Sequence, residues 1–253
     1  MKGFLRLMKT EEIKIRHTAL FWLHIILPVT GASLFLWYYS FSNWGSTEKV
    51  TAYLQVISCI WPFLCGVICG MAEEMEEDCG YQNFFYLPRR KFQSFLSKWC
   101  LLMLVGFFSC LIAVIGFALI YRLFPDGLVY AMPVYLQEMA AIWIGQAAVY
   151  LIHLVLAFSF GKGMSIGIGI LGTLSAFLML TGMGDGIWMF FPWSWSGRIC
   201  SYLLLYMTAK NNNTEINPMI VNELGICLMV FLVLTIVAFL CFWRYEGRRT
   251  GAE

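Results

Sequence analysis

The sequence predicts an all-helical integral membrane protein: a single transmembrane domain over 1–253, with six spanning helices behind an N-terminal amphipathic helix. Three observations predict it. The first is composition. Of 253 residues, 60% are hydrophobic and 13% charged, with a mean hydropathy of +0.73, whereas a soluble domain is about half apolar and about a quarter charged. A water-soluble enzyme of this length could not hide that much apolar surface. The second is that the apolar residues fall into six runs of the roughly 20 residues a spanning helix needs. The third is the distribution of Lys and Arg between the runs, which sets topology.

Residues 1–17 read as an interfacial helix. At 100° per residue, Phe4, Met8 and Ile15 share one face and Lys2, Arg6, Lys9 and Arg16 the opposite one, the pattern of a helix lying in a membrane interface. The spans follow at about 18–40, 50–71, 96–121, 135–160, 164–184 and 221–243. The first is too long for a signal-peptide core and no small-x-small cleavage site follows it. With both termini cytoplasmic, the inner segments hold 13 Lys and Arg and the outer ones four (Lys49, Arg122, Arg198, Lys210). That bias favours an even number of spans with both ends inside.

Span five is rich in small residues, among them Ser165, Gly169 and Gly172, which let another helix approach closely. The turn before it, Gly161-Lys162-Gly163, is not a phosphate loop: Leu156 stands where the first Walker glycine belongs, and Gly163 where Ser or Thr is required. No nucleotide site is therefore expected in this chain. Of the nine cysteines, Cys59, Cys65, Cys69, Cys100, Cys110, Cys227 and Cys241 fall within apolar runs and read as packing residues. No metal-ligand spacing is present.

Two connections carry more than topology. The 185–220 segment, read as an extracellular loop, brings Trp188, Phe190, Phe191, Trp193 and Trp195 together around Pro192. Such rings serve as an interfacial or re-entrant anchor, or as a surface for an amphiphilic substrate. Glu138 and Glu223, near the outer ends of spans four and six, read as hydrated carboxylates able either to attract a basic ligand or to anchor loops. His24 and His153 lie within spans one and four; His153 reads as a hydrogen-bonded packing residue ahead of a proton relay.

The other connection is the cytoplasmic loop 72–95. Glu73, Glu74, Glu76, Glu77 and Asp78 end span two. Negative charge there opposes the helix macrodipole at about 0.3–1 kcal/mol each, and like charges at i,i+4 repel. The cluster needs counter-charges, supplied by Arg89, Arg90 and Lys91 folding back or by a partner; a solvated acidic turn is the plainer reading.

The order acidic cluster, Gly80, aromatic-rich segment, Leu87-Pro88-Arg89-Arg90, then Phe95-Leu96-x-Lys98 resembles the cytoplasmic loop of type-2 ABC exporter permeases. The likeness extends over nearly the whole chain. The small size, the Glu11–Arg16 lead-in and Pro192-Trp193-Ser194-Trp195 resemble the lantibiotic-immunity branch of that superfamily. The resemblance implies a half-transporter without an ATPase of its own. Two permeases, often a non-identical pair, would assemble with two copies of an ABC ATPase subunit that binds ATP and Mg. Glu73, Glu74, Glu77, Gly80, Pro88, Arg89 and Arg90 would couple to that ATPase. In that branch the cargo is a cationic, membrane-active peptide, with Trp188, Phe191, Trp193, Trp195, Glu138 and Glu223 as candidate substrate-facing residues. No nucleic-acid partner is implied; the lipid bilayer is.

Two rivals remain in view. An intramembrane protease would need Glu-Glu-x-x-x-Arg and two later histidine-bearing helices; Asp78 occupies the Arg position and His153 is the only later histidine. A non-transporting immunity or sensor protein that sequesters the peptide would share most of these features.

Overall fold

The computed structural model describes residues 2–81, 91–125, 127–210 and 218–245. Among them every regular element is helical. Helix α1 is Lys2–Ile15, α2 Ala19–Tyr39, α3 Ser46–Asp78, α4 Lys91–Tyr121, α5 Met132–Phe160 and α6 Lys162–Met179. Three 3-10 turns follow (Gly182–Gly184, Trp188–Phe190, Pro192–Ser194), then α7 Trp195–Lys210 and α8 Pro218–Trp243. Helices α2, α3, α4, α5, α6 and α8 are long and apolar enough to cross a membrane, matching the six expected runs.

Helix α3 has 33 residues, about 50 Å at 1.5 Å per residue, against a hydrocarbon core of about 30 Å. Its surplus is the acidic tail, so residues 72–78 continue the span as helix, within the stretch expected as the 72–95 loop. Helix α4 contains a π-helical turn, Ile112–Gly116, which frees backbone carbonyls from the regular ladder. The Tyr53 hydroxyl donates to Ala113 O at 2.7 Å, and its ring stacks on Phe117 at 3.7 Å, locking α3 to α4 there.

The small residues of span five divide between two faces. Ser165 Oγ donates to Gly66 O at 3.0 Å, and a Cβ on Gly66 would stand 2.6 Å from Ser165 O. Backbones of α3 and α6 thus touch directly, as small-residue interfaces allow. Gly163 and Gly167 instead face open space.

Over its described part the 185–220 segment is re-entrant, one of the alternatives that its aromatic rings left open. From the end of α6 the chain folds back into the bundle through the 3-10 turns and returns as α7. Trp193 reaches Gly172 and His153, Ser196 lies against Gly145, Gly197 against Cys59, and Gln55 Nε2 donates to Ser201 Oγ at 3.1 Å. Successive residues of α7 thus climb α3 and α5 toward their other ends, which makes 182–210 a re-entrant hairpin. Buried rings drive this: an aromatic-rich segment with few charges gains more inside the bundle than over it.

Candidate functional site

The acidic end of α3, the start of α4, the 160–162 turn, α1 and the end of α8 gather on one face of the bundle, called here the N-terminal face. Glu73 and Glu76 are fully buried there, and Glu74 and Asp78 are exposed. Burying carboxylates is costly unless they are paired, and Glu76 is paired twice. Its Oε1 lies 2.9 Å from Lys98 Nζ on α4 and 2.5 Å from Lys14 Nζ on α1. Glu11 closes the ring, with Oε2 at 2.5 Å from Lys98 and Oε1 at 2.9 Å from Lys14. Two carboxylates and two ammonium groups thus form a neutral, largely buried square that joins α1, α3 and α4.

Glu73 is held differently. Helix α3 ends in a turn in which Gly80 (φ 62°) and Tyr81 (φ 51°) are both left-handed. The Tyr81 N–H donates to Glu76 O and the Gly80 N–H to Glu77 O, each at 2.8 Å, the Schellman arrangement that favours glycine. The reversal carries the Tyr81 hydroxyl back to donate to Glu73 Oε1 at 2.5 Å. Burial and then the adjacent Glu73 carboxylate hold the Tyr81 hydroxyl well above its ordinary pKa. Gly80 therefore has a structural reason of its own.

Both feet of the connecting loop are tied down. The Lys91 ammonium donates to Tyr245 O at 2.6 Å, while the Tyr81, Phe158 and Phe242 rings pack around Tyr245. Lys162 bonds Glu74 at 2.7 Å on the surface. Arg89 and Arg90, expected to fold back on the acids, lie outside the described residues, as does Pro88. Among the described residues, Lys14 and Lys98 supply counter-charge to Glu76 and Lys162 to Glu74.

The aromatic candidates at the opposite face are corrected. Trp188 and Trp195 are buried, the Trp195 indole donating to Met189 O at 3.0 Å. Trp193 donates through Nε1 to His153 Nε2 at 3.2 Å. An indole N–H can only donate, so His153 Nε2 accepts and Nδ1 carries the proton, directed at Ser165 Oγ at 3.2 Å. His153 is thus a packing histidine joining α5, α6 and the hairpin tip. Of the expected substrate-facing rings Phe191 is exposed, with Phe190 beside it. Glu138 and Glu223, expected to be hydrated, are buried: α7 covers Glu138 and sets the Cys200 thiol against its carboxylate.

Sequence reasoning missed the ring and Arg198. Glu11 carried a signal, because at 100° per residue it falls within 20° of Phe4, inside the apolar face of α1. An acid there marks a buried partner. Arg198 was counted only as an outer charge. Its guanidinium donates to Met179 O and to Thr181 O (2.7 Å) and pairs with Asp185 at 2.9 Å. It satisfies carbonyls left open at the C-terminus of α6.

Among the described residues no group of three or more His, Cys, Asp or Glu could hold a metal. What the N-terminal face provides is a buried ion-pair ring that joins three helices. Against known families, residues 7–179 match the one described as ABC-2 family transporter protein, and the chain belongs to it. It is a multi-pass membrane component of an ABC-2 type transporter, and that family implies association with an ABC ATPase subunit. No curated protein and no solved structure matches the chain.

Proposed function

We propose that this ABC-2 family chain is the membrane-spanning half of an exporter that expels cationic, lantibiotic-type peptides from a bacterial plasma membrane. A separate ATPase subunit, present in two copies, binds ATP and Mg and drives it. A second permease, non-identical to this one, completes the pore. The N-terminal face is cytoplasmic, in keeping with the 13-to-four distribution of Lys and Arg under the positive-inside rule.

The observation that carries the coupling part is the Glu11–Lys98–Glu76–Lys14 ring. The 79–90 segment joins α3 to α4, and the ring ties those two helices and α1 into one body at the point where the segment leaves them. A push on the segment by the ATPase therefore moves three helices together. Exposed Asp78, the surface Glu74–Lys162 pair and the basic pair Arg89 and Arg90 are the charged contacts offered to the ATPase. Glu73 and Glu76 are engaged inside the chain and take no part in docking. The peptide cargo is supported by the resemblance of the loop and Pro192-Trp193-Ser194-Trp195 elements to immunity permeases, with Phe190 and Phe191 as the rings still exposed.

The test is expression of the chain with its ATPase and second permease in a peptide-sensitive bacterium, followed by resistance measurements. Resistance should appear with the intact ATPase and vanish when its Walker lysine is replaced. Resistance that survives that replacement would overturn export in favour of sequestration. Reversing Arg89 and Arg90 to Glu should release the ATPase during purification; full recovery would remove the docking assignment.

A further inference from the structure

Between α1, α2 and α4 lies a cavity of about 670 Å³ that the transport reading leaves unused. Its volume falls within the roughly 300–1,000 Å³ of small-molecule sites. The two ends differ in chemistry. The rim carries Lys9 and Arg16 with a single acid, Glu12. Among the described residues neither cation pairs with a carboxylate within 4 Å. Below the rim the walls are apolar, running along α4 from Leu101 through Leu104 and Phe108 to Ile112. That stretch is about 16 Å long at 1.5 Å per residue, roughly half the hydrocarbon thickness.

A third feature lies in the wall. His24 is 3% exposed, and its Nδ1 bonds Leu20 O at 2.8 Å. The His24 ring lines the same cavity, and its buried Nε2 has no hydrogen-bond partner among the described residues. A buried ring nitrogen left unpaired is costly, so its position one to two turns below the rim calls for a polar group at that depth.

We propose that this slot binds one anionic phospholipid from the leaflet at the N-terminal face. The phosphate sits between Lys9 and Arg16, the glycerol region lies against the His24 ring, and one acyl chain lies along Leu104 and Phe108. The amphipathic α1, set in the interface, holds the basic rim at headgroup height. A cationic peptide does not fit this rim, which would repel it. The site is separate from the transport path and stands or falls independently of it.

Native mass spectrometry of the delipidated, full-length protein, titrated with phosphatidylglycerol or phosphatidylcholine, tests the proposal. One phosphatidylglycerol should be retained per chain, in clear preference to phosphatidylcholine. A basic residue near an anionic surface contributes about fivefold to binding, so Lys9→Gln with Arg16→Gln should weaken retention about 25-fold. Leu104→Trp keeps the charges but fills the slot, and it too should abolish the single retained lipid. Both variants alter the cavity rim or wall rather than the packed core, and monodisperse elution confirms that they fold. Equal retention of the two lipids, non-saturating binding of many lipids, or unchanged binding in either variant would overturn the site. So would competition by glycerol 3-phosphate at the lipid's own concentration, which would mean that phosphate alone is recognised.

Discussion

The two faces of the molecule both bury charge, by opposite means. At the N-terminal face four side chains from three helices neutralise one another in a ring. At the other face a single guanidinium, Arg198, is held chiefly by the backbone carbonyls of Met179 and Thr181, with Asp185 at the exposed edge. A carbonyl cannot move without unwinding its helix, whereas side-chain pairs can exchange when helices shift. The ring is therefore suited to transmit motion and the Arg198 clamp to resist it. The hairpin that Arg198 anchors is also pinned by Trp193 on His153 and by Trp188 and Trp195, buried among α5, α6 and α8.

Substitutions sharpen that contrast. The largest effect is expected at the ring. Lys98→Gln or Glu11→Gln leaves the remaining buried charges uncompensated and should cost about 3–5 kcal/mol, read as a fall in the melting temperature of the detergent-purified protein. The double variant should cost clearly less than the sum of the singles, because contacting residues couple; strict additivity would break the ring as a unit. Arg198→Lys comes next. An ammonium cannot reproduce the forked contacts of a guanidinium, so carbonyls of α6 lose donors at about 1–3 kcal/mol. Its effect should stay local, read as faster protease cleavage within 182–210. Cleavage spreading to α1 would erase the distinction between the faces. The smallest effect belongs to the exposed Glu74–Lys162 pair: Glu74→Gln should change stability by about 1 kcal/mol or less. A loss as large as that at the ring would mean the acidic helix end works as one network instead of a buried core with a solvated rim.

How much of this was legible beforehand varies by element. The six spans were, because length and hydropathy alone decide which segments can cross a bilayer. The need of the α3 acids for counter-charges was also legible, since it follows from the helix dipole and like-charge repulsion. The donors to Glu76 were not legible: adjacency in sequence pointed to Arg89 and Arg90, which lie outside the described residues, whereas Lys14 and Lys98 stand 62 and 22 positions away from Glu76. The aromatic hairpin was legible only as one of several alternatives, for a related reason. Ring composition states that a segment seeks an apolar or interfacial environment, but not whether it finds that in lipid or between helices.

Amino-acid order by itself thus determined the membrane-helical class, the span count and the N-terminal amphipathic helix, all of which depend on local hydrophobic period and length. Only the tertiary structure decided which acids are buried, which lysines meet them, that Gly80 and Tyr81 turn back onto Glu73, and that Trp193 closes on His153. Those outcomes depend on which faces of different helices meet. Packing sets that through contacts such as Gly66 on Ser165, where the absence of a Cβ lets two backbones touch.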